Sequence, residues 1–398
     1  MPQNSDNQWY NNAIERIDEI EEKGYLYANH PESFGEVICW CGSFQKYKDC
    51  HLKYSKFLPL TYDDYWKICK KYYNRRGKCF YENCSESSIN SHSVPSSWLM
   101  SIANEIKSVY QFQYDIFESL VKNEPNPFKP KAISVTKSST FRGFCSRHDS
   151  ELFKDLEFKR EWEVSSRNIL LLFYRCVCYE LFRKYTVRDL SIELRSKAGY
   201  GKDLFSQVES FQHFTQHLLG VEKAIEDLEA LRSTCENCIK NKDYTSLSYT
   251  YIPFKKSYQI MAGGIHHPIK TFSSNTLQEM SEDSLLNIAC VLGKNGDYGF
   301  ALFVNLESED PRSKLFHQDL LRTKNLAKRI VVYLLESTEN LFWEIDNWNN
   351  LSKSNKQKTF DLLGDTILED TLEYCREGMN ISLKTPIVDN AGIIQSGV

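Results

Sequence analysis

The run CWCGSFQKYKDCH, at residues 39–51, constrains this chain more than any other part of its sequence. Gly42 and Ser43 allow a sharp turn that separates two pairs of metal-binding residue types. Thiolates and imidazoles bind zinc at about 2.0–2.3 Å, and four protein ligands leave no open position on the metal. The run therefore predicts a structural zinc site rather than a catalytic one. Its four ligands are Cys39, Cys41, Cys50 and His51.

The same run resembles the SEC-C motif, a zinc-binding module at the tail of the SecA translocation ATPase and in many other bacterial proteins. Trp40 stands where that motif usually has proline, a change that leaves the ligands untouched. The resemblance is confined to this run, and it implies a zinc-dependent docking module for a protein partner, not an activity. The matching residues are Cys39, Cys41, Gly42, Ser43, Lys46, Tyr47, Lys48, Cys50 and His51.

The composition sets broad limits on the class of protein. The 398 residues suggest two or three domains, and a 41% apolar fraction is ample for real cores. A net charge of −4 does not favour a dedicated, highly basic nucleic-acid coat. No run of about 18 apolar residues is present, so we expect no membrane span. The polar N-terminus lacks the pattern of a secretory signal, which predicts a cytoplasmic protein with reduced thiols.

A second set of zinc ligands is spread over a longer stretch. Cys79 and Cys84 lie in the turn-like segment KCFYENC. Cys145 and His148 have the spacing of a helix N-terminus, where Asp149 suits the positive end of the helix dipole. A knuckle followed by a helix-start pair is the order of a treble-clef zinc fold, and it predicts a second structural zinc ion. The alternative is that the first two are buried thiols and the histidine a surface residue.

His92 lies in sequence between the two halves of this second set. Residues 88–90 are typical of the end of a short strand. Pro95 is expected to open a helix, with Ser93 as its cap. His92 is therefore predicted at a strand-to-helix corner.

This order of residues resembles the HNH, or ββα-metal, nucleases. The resemblance implies that His92 is a general base that activates water. It implies that Asp149 holds Mg²⁺ or Mn²⁺ in place of the terminal metal-binding histidine of the family. The chain departs from the family in having a single histidine, between Ser91 and Ser93, and no clearly placed middle asparagine. The alternative is a non-catalytic treble clef with a structural histidine. The string FRGFCSRHDSELFKDLE is also similar to a segment of uncharacterised bacterial proteins with this zinc layout.

The remainder of the chain divides into a helical and a mixed part. Apolar residues at helical spacing predict helices within residues 161–245, one of them from Leu204 to Asn241. Strands are predicted at 246–254, 258–265 and 298–306. Helices are predicted at 317–343 and 365–375, and the last ten residues are expected to be flexible.

The fold class predicted from these patterns is α+β. Two small zinc modules, SEC-C-like and treble-clef or HNH-like, are followed by a helical segment and a mixed α+β domain. The predicted boundaries are 1–60 for the N-terminal helix with the first module, 61–160 for the second module, 161–245 for the helical segment and 246–398 for the last domain.

Three further pairs of residues have metal-type chemistry without a matching partner set. His213 and His217 are four apart on a predicted helix, but no third ligand stands near them. Cys235 and Cys238 lack a second pair, and a histidine doublet before proline is more often incidental. We expect all three pairs to be structural or exposed rather than functional. The doublet is His266–His267.

Two functions are compatible with these sequence features. The leading one is a cytoplasmic zinc protein that engages DNA or RNA as a metal-dependent HNH-like endonuclease, a role that would suit defence against phage. The other is a non-catalytic interaction protein in which both zinc modules are docking surfaces. Convergence of the basic residues around the second site on one face with His92 would favour the nuclease. These residues are Lys70, Lys71, Arg75, Arg76, Lys78, Arg142 and Arg147.

Overall fold

A computed structural model of the chain describes residues 8–114, 128–306, 309–365, 373–375 and 385–397. The chain divides into two compact units. Unit 1 comprises Met1–Arg75, Leu181–Glu229 and Ser281–Ser284. Unit 2 comprises Arg76–Glu180, Ala230–Met280 and Leu285–Val398.

Unit 1 begins with helices α1 (Gln8–Asn29), α2 (Pro31–Phe34), α3 (His51–Tyr54) and α4 (Tyr62–Tyr73). Helix α4 starts at a capping box, in which the Thr61 hydroxyl accepts from the Asp64 amide and the Asp64 carboxylate accepts from the Thr61 amide. Its inner side contributes Ile68 to a buried cluster with Leu190 and Leu194. The cap fixes where the helix begins, and the apolar side fixes which face is buried.

Unit 2 begins with a small module of two strands and a helix. Strand β1 (Asn90–His92) pairs antiparallel with β4 (Thr140–Arg142), and α6 (Ser146–Phe158) follows β4 directly. In sequence, α5 (Ser96–Ser101) follows β1. Two longer strands, β2 (Ser108–Tyr114) and β3 (Phe128–Ser134), come between α5 and β4.

The prediction that Ser93 caps α5 is wrong. Pro95 occupies the N-cap position, and no side-chain cap hydrogen bond is made. The Ser93 hydroxyl instead lies 3.0 Å from the Ser139 carbonyl, to which it donates, and 2.9 Å from the Asn340 amide nitrogen. The side chain therefore ties the end of β1 to two distant segments rather than to the helix that follows.

Two long helices follow, α7 (Ser166–Lys197) and α8 (Leu204–Asn241). The bounds of α8 are those predicted from the spacing of its apolar residues. The first half of α7 is buried, as its dense apolar run predicts, with Ile169 and Phe173 fully enclosed. The unit boundaries at residues 180 and 229 fall within these two helices.

The main body of unit 2 is an eight-stranded antiparallel sheet. Its remaining strands are β5 (Ser248–Phe254), β6 (Ile260–His266), β7 (Ile288–Asn295), β8 (Tyr298–Asn305), β9 (Leu341–Trp343) and β10 (Ile394–Ser396). The strand order is β10-β5-β8-β7-β6-β9-β2-β3. The helices after β8 are α9 (Pro311–Arg322), α10 (Leu326–Ser337), α11 (Ile345–Asn349) and α12 (Lys353–Asp365). Apolar side chains of the sheet and of α9 and α10 form one buried cluster.

The three predicted strands of this body correspond to β5, β6 and β8. The single helix predicted at 317–343 is wrong, because the chain breaks at Asn325, which has a left-handed φ of 54°, and ends in β9. The tail expected to be flexible contains β10, which pairs with β5. Of the helix predicted at 365–375, residues 366–372 lie outside the described residues.

The predicted fold class is confirmed as mixed α and β, with two Cys/His clusters near the N-terminus followed by helices and a sheet. None of the helices that the structure describes has the length and apolar character needed to cross a membrane. The four predicted domain boundaries stay a prediction.

Candidate metal centres

The first cluster is formed by a tight turn and the start of α3. The Cys39 amide donates to the Gln45 carbonyl at 2.7 Å, and the Tyr47 amide donates to the Val37 carbonyl at 2.8 Å. Gly42 has a φ of +75°, a conformation that glycine adopts at little cost. The turn thereby brings the first cysteine pair against the Cys-His pair at the N-terminus of α3.

The four ligand atoms of the first cluster lie within 4.8 Å of one another. His51 Nδ1 is 3.2 Å from Cys39 Sγ and 3.4 Å from Cys50 Sγ, and Cys41 Sγ is 3.6 Å from Cys50 Sγ. Tetrahedral zinc, with bonds of about 2.3 Å to sulfur and about 2.0 Å to nitrogen, separates its ligands by about 3.5–3.8 Å. The residues therefore fit a tetrahedral zinc ion.

Aromatic rings hold the imidazole of the first cluster in place. The His51 ring lies 4.3 Å from the Trp40 ring, 5.0 Å from that of Tyr54 and 5.7 Å from that of Phe211, between centroids. These contacts leave Nδ1 directed at the sulfurs. Sequence reasoning missed Phe211, because it lies on α8 and nothing in the local pattern connects it to the cluster.

The pKa values of two sulfurs of the first cluster are shifted in opposite directions. Hydrogen bonds with Cys41 and Cys50, followed by burial, raise the pKa of Cys39. Hydrogen bonds from Cys39 and Cys41 lower the pKa of Cys50. Thiolates this close repel one another, so a divalent cation would stabilise the fully ionised set.

The second cluster joins a knuckle, residues 79–84, to the N-terminus of α6. The Phe80 amide donates to the Gly143 carbonyl at 2.8 Å and so fixes the knuckle beside the end of β4. Cys145 is the N-cap of α6, and its sulfur lies 3.5 Å from the His148 amide. The Cys-x-x-His pair therefore occupies the helix start that its spacing predicts.

The ligand atoms of the second cluster also lie within 4.8 Å of one another. His148 Nδ1 is 3.4 Å from Cys79 Sγ and 3.5 Å from Cys145 Sγ, and Cys84 Sγ is 3.9 Å from Cys145 Sγ. These separations match a tetrahedral zinc ion as well as those of the first cluster do. Burial raises the pKa of Cys79 to about 12, so this thiol would lose its proton on binding the metal.

A buried carboxylate on α8 supports the second knuckle. Glu236, 1% exposed, accepts from the Glu82 amide at 3.1 Å, from the Tyr174 hydroxyl at 2.7 Å and from Arg232 at 2.9 Å. Arg232 also donates to the Phe80 carbonyl at 2.8 Å. Glu236 was not predicted from the sequence. The one signal that could have indicated it is its position, as an acidic residue between the two cysteines of the CENC segment.

His92 is the last residue of β1 and is half-buried. Its Nε2 lies 3.2 Å from the Val135 carbonyl oxygen. The residues on either side are anchored: Ser91 Oγ accepts from the Phe144 amide at 3.2 Å, and Ser93 bonds to Asn340. Local contacts therefore fix both the backbone and one ring nitrogen of this histidine.

Asp149 lies on the first turn of α6 and is half-buried. Its Oδ1 is buried and has no hydrogen-bond partner. In the described ranges, the groups of three or more metal-ligand side chains are the two Cys₃His clusters, and neither includes Asp149 or His92.

The basic residues that flank the second site in sequence do not share one unit. Lys71 pairs with Glu193 at 2.7 Å, and Arg75 pairs with Asp189 at 2.6 Å, all four within unit 1. The members that belong to unit 2 are Arg76, Lys78, Arg142 and Arg147.

The other cysteine and histidine pairs stand apart from the described metal clusters. Cys235 is fully buried, and His213 is exposed. His266 Nδ1 is 2.8 Å from the Tyr333 hydroxyl, and burial lowers the pKa of His266 to about 3. A half-buried histidine held neutral in this way has a structural role in unit 2.

Comparison with known proteins gives a match only for the segment that contains the first cluster. The sequence model of one family, the SEC-C motif, matches residues 38–53. No curated protein and no solved structure matches the chain. The first cluster is thus similar to SEC-C motifs, and the two Cys₃His clusters are sites that could hold zinc.

Proposed function

We propose that each Cys₃His cluster binds one zinc ion as a structural centre. Four protein ligands at tetrahedral separations support this, because such a set leaves no position for substrate or water. Burial of the two imidazoles supports it as well, with His51 4% and His148 8% exposed. Bound zinc would fix the turn before α3 and the start of α6.

We propose further that the second module is a metal-dependent endonuclease that cleaves phosphodiester bonds of nucleic acid. The observation that carries this proposal is the pairing of β1 with β4, which α6 follows directly, with His92 at the end of β1 and Asp149 on the first turn of α6. The HNH nucleases that the sequence resembles place a general base and a metal ligand in this order. A cytoplasmic nuclease with a docking module would suit defence against phage.

The hydrogen bond of His92 supports its role as the base. A carbonyl oxygen only accepts, so Nε2, which faces Val135, carries the proton of the neutral ring. The lone pair then lies on Nδ1. In the proposed reaction, Nδ1 takes a proton from water, the water oxygen bonds to phosphorus, and the bond from phosphorus to the leaving oxygen breaks.

Asp149 is the residue proposed to hold the catalytic cation. Its Oδ1 is buried without a partner, and Mg²⁺ in proteins is commonly held by one or two carboxylates together with substrate phosphate and water. Bound Mg²⁺ or Mn²⁺ would supply positive charge to the phosphate and the leaving oxygen. The carboxylate of Asp149 would position that charge at the N-terminus of α6.

The test is nicking of supercoiled plasmid with Mg²⁺ or Mn²⁺. His92→Ala should reduce the rate by about 10²–10⁴-fold, because that is the usual contribution of a general base, and zinc content should not change. His213→Ala is the matched control, since that histidine is exposed and outside the site. Absence of cleavage of DNA or RNA by the purified protein with either ion would overturn the nuclease proposal.

A second candidate is a non-catalytic protein that docks a partner through its first module. The apolar side chains on the turn of that module favour it: Phe44 is 88% exposed and Ile38 58%. Apolar groups exposed together on a rigid turn would lose contact with water when a partner covers them, which favours docking. A protein that copurifies with the wild-type chain and is lost with Phe44→Ser, while zinc is retained, would support docking. Equal recovery with both forms would exclude this turn as its contact.

A further inference from the structure

The charge of one segment of unit 2 is opposite to that of the whole chain. The chain has a net charge of −4. Residues 128–148 contain no aspartate or glutamate, and residues 87–104, which include β1, contain none either. The basic residues of the first segment are Lys129, Lys131, Lys137, Arg142 and Arg147.

The fold places two of these cations, Lys129 and Lys131, on the last strand of the sheet. β3 is the last strand in the sheet order, and the described residues place no strand on its outer side. Phe128 is buried in the core, whereas Lys129 and Lys131 are exposed. Side chains two apart on a strand lie on one face about 6.6 Å from each other, so the two lysines project from the same side.

The end of β3 leads directly to His92. The Val135 amide donates to the Lys107 carbonyl at 2.9 Å, and the Val135 carbonyl bonds to His92. The turn after β3 carries exposed Lys137, whose carbonyl accepts from the Thr140 hydroxyl at 2.9 Å. Thr140 is in turn the partner of His92 across the β1–β4 ladder.

Arg142 lies on the same face of that ladder as His92. The register pairs His92 with Thr140 and Asn90 with Arg142, and residues directly paired or two apart on a strand share a face. The four residues Lys107, Lys131, Lys137 and Arg142 are together called the lysine edge below. None of these four side chains forms an ion pair with a described residue, in contrast to Lys71 and Arg75 in unit 1.

We propose that the lysine edge binds the sugar–phosphate backbone of a DNA strand, independently of base sequence, and leads it past His92. This rests on the proposed nuclease function and names the surface that would hold its substrate. Exposed lysines supply charge to phosphates, and serines and threonines supply hydroxyl donors to the same oxygens. Within the segment from Ser134 to Thr140, Thr136 and Lys137 are exposed and offer both kinds of group, whereas the Ser138 and Ser139 hydroxyls are buried and donate to backbone carbonyls.

Binding is measured by fluorescence anisotropy of a labelled 20-base-pair duplex and a labelled 20-nucleotide single strand. All proteins carry His92→Ala, which prevents cleavage, and no chelator is used, so that zinc stays bound. The test variant adds Lys131→Gln and Lys137→Gln. The control adds Lys255→Gln and Lys256→Gln, two exposed lysines between β5 and β6 that change the net charge equally.

We expect the test variant to bind DNA about ten-fold more weakly, and its slope of log affinity against log salt to fall by about two, one for each lost phosphate contact. The control should bind like its parent. A test variant that binds as tightly as the parent would overturn the lysine edge and leave the nuclease proposal standing. Lysine-dependent binding without cleavage by wild-type protein would support the edge and overturn the nuclease. A parent that binds neither probe, or binds phosphatidylserine vesicles instead, would overturn the lysine edge, and cleavage by the wild-type protein would then decide the nuclease proposal separately.

Discussion

The two Cys₃His clusters have the same ligands and similar separations, but the chain assembles them in different ways. The first closes a loop from residue 39 to residue 51, whereas the second closes one from residue 79 to residue 148. Each doubling of the length of a flexible loop adds about 0.6 kcal/mol to the free-energy cost of closing it. Closing the loop of the second cluster therefore costs roughly 1–2 kcal/mol more than closing that of the first. The second ligand set is therefore brought together by long-range structure, and the first largely by its own turn.

The surroundings of the two clusters also differ in the kind of contact that supports them. Rings around His51, from Trp40 and Phe211, pack the first cluster by apolar contact. The second knuckle is held by hydrogen bonds from its backbone to Glu236 and Arg232. Loss of a buried, charged partner is costly, so the second cluster should respond to distant substitutions more strongly than the first.

The largest expected effect is on stability, and it comes from removing a ligand of one zinc ion at a time. Cys145→Ser should unfold the second zinc module, which comprises the knuckle, β1, β4 and α6, since structural zinc contributes roughly 10 kcal/mol or more to small modules. Cys39→Ser should damage the first module and leave the second zinc bound, because the ligand sets are separate. Limited proteolysis with zinc analysis of the fragments measures both. Equal damage to one common fragment by the two variants would contradict the comparison.

The next largest effect is expected from the hydrogen bonds by which α8 holds the second knuckle. Glu236→Gln removes a buried charge that accepts from three donors, and it should lower the free energy of unfolding by about 2–4 kcal/mol. Zinc should leave the second cluster of this variant faster than it leaves that of the wild type, and its rate of release from the first cluster should be unchanged. A chromogenic chelator follows both releases. Glu222→Gln, exposed on the same helix, is the control, and the same release rate in both variants would exclude the proposed support.

The smallest effect is the part of the acid sensitivity of unit 2 that a single histidine contributes, about 2 kcal/mol between pH 7 and pH 5. Burial lowers the pKa of His266 and His317 to about 3. In the unfolded chain each histidine binds a proton near pH 6.5, whereas in the folded chain it stays neutral down to about pH 3. The stability of the folded chain is therefore fully present above about pH 6.5 and is lost as the pH falls towards 3. The loss is about 1.4 kcal/mol per pH unit for each histidine. Urea unfolding at pH 7 and pH 5 measures the loss. His317→Gln should reduce this dependence, and an unchanged dependence would exclude His317 as its source.

The same contrast explains what the sequence could predict. The ligands of the first cluster are near neighbours, and α8 has one continuous apolar pattern, so both could be identified from local spacing. β7 has no alternation, because nearly all of its residues are buried, and it was not predicted. Glu236 and Asn340 act on segments more than a hundred residues away, and such contacts follow from the tertiary fold alone.

Native mass spectrometry of the 398-residue chain counts the zinc ions that it binds. We predict two bound zinc ions in the wild type, one in Cys39→Ser, one in Cys145→Ser and none in the double variant, because the two ligand sets are separate. A wild-type protein that carries one zinc ion, or none, would contradict the assignment of two structural zinc centres, and so would a double variant that still carries an ion.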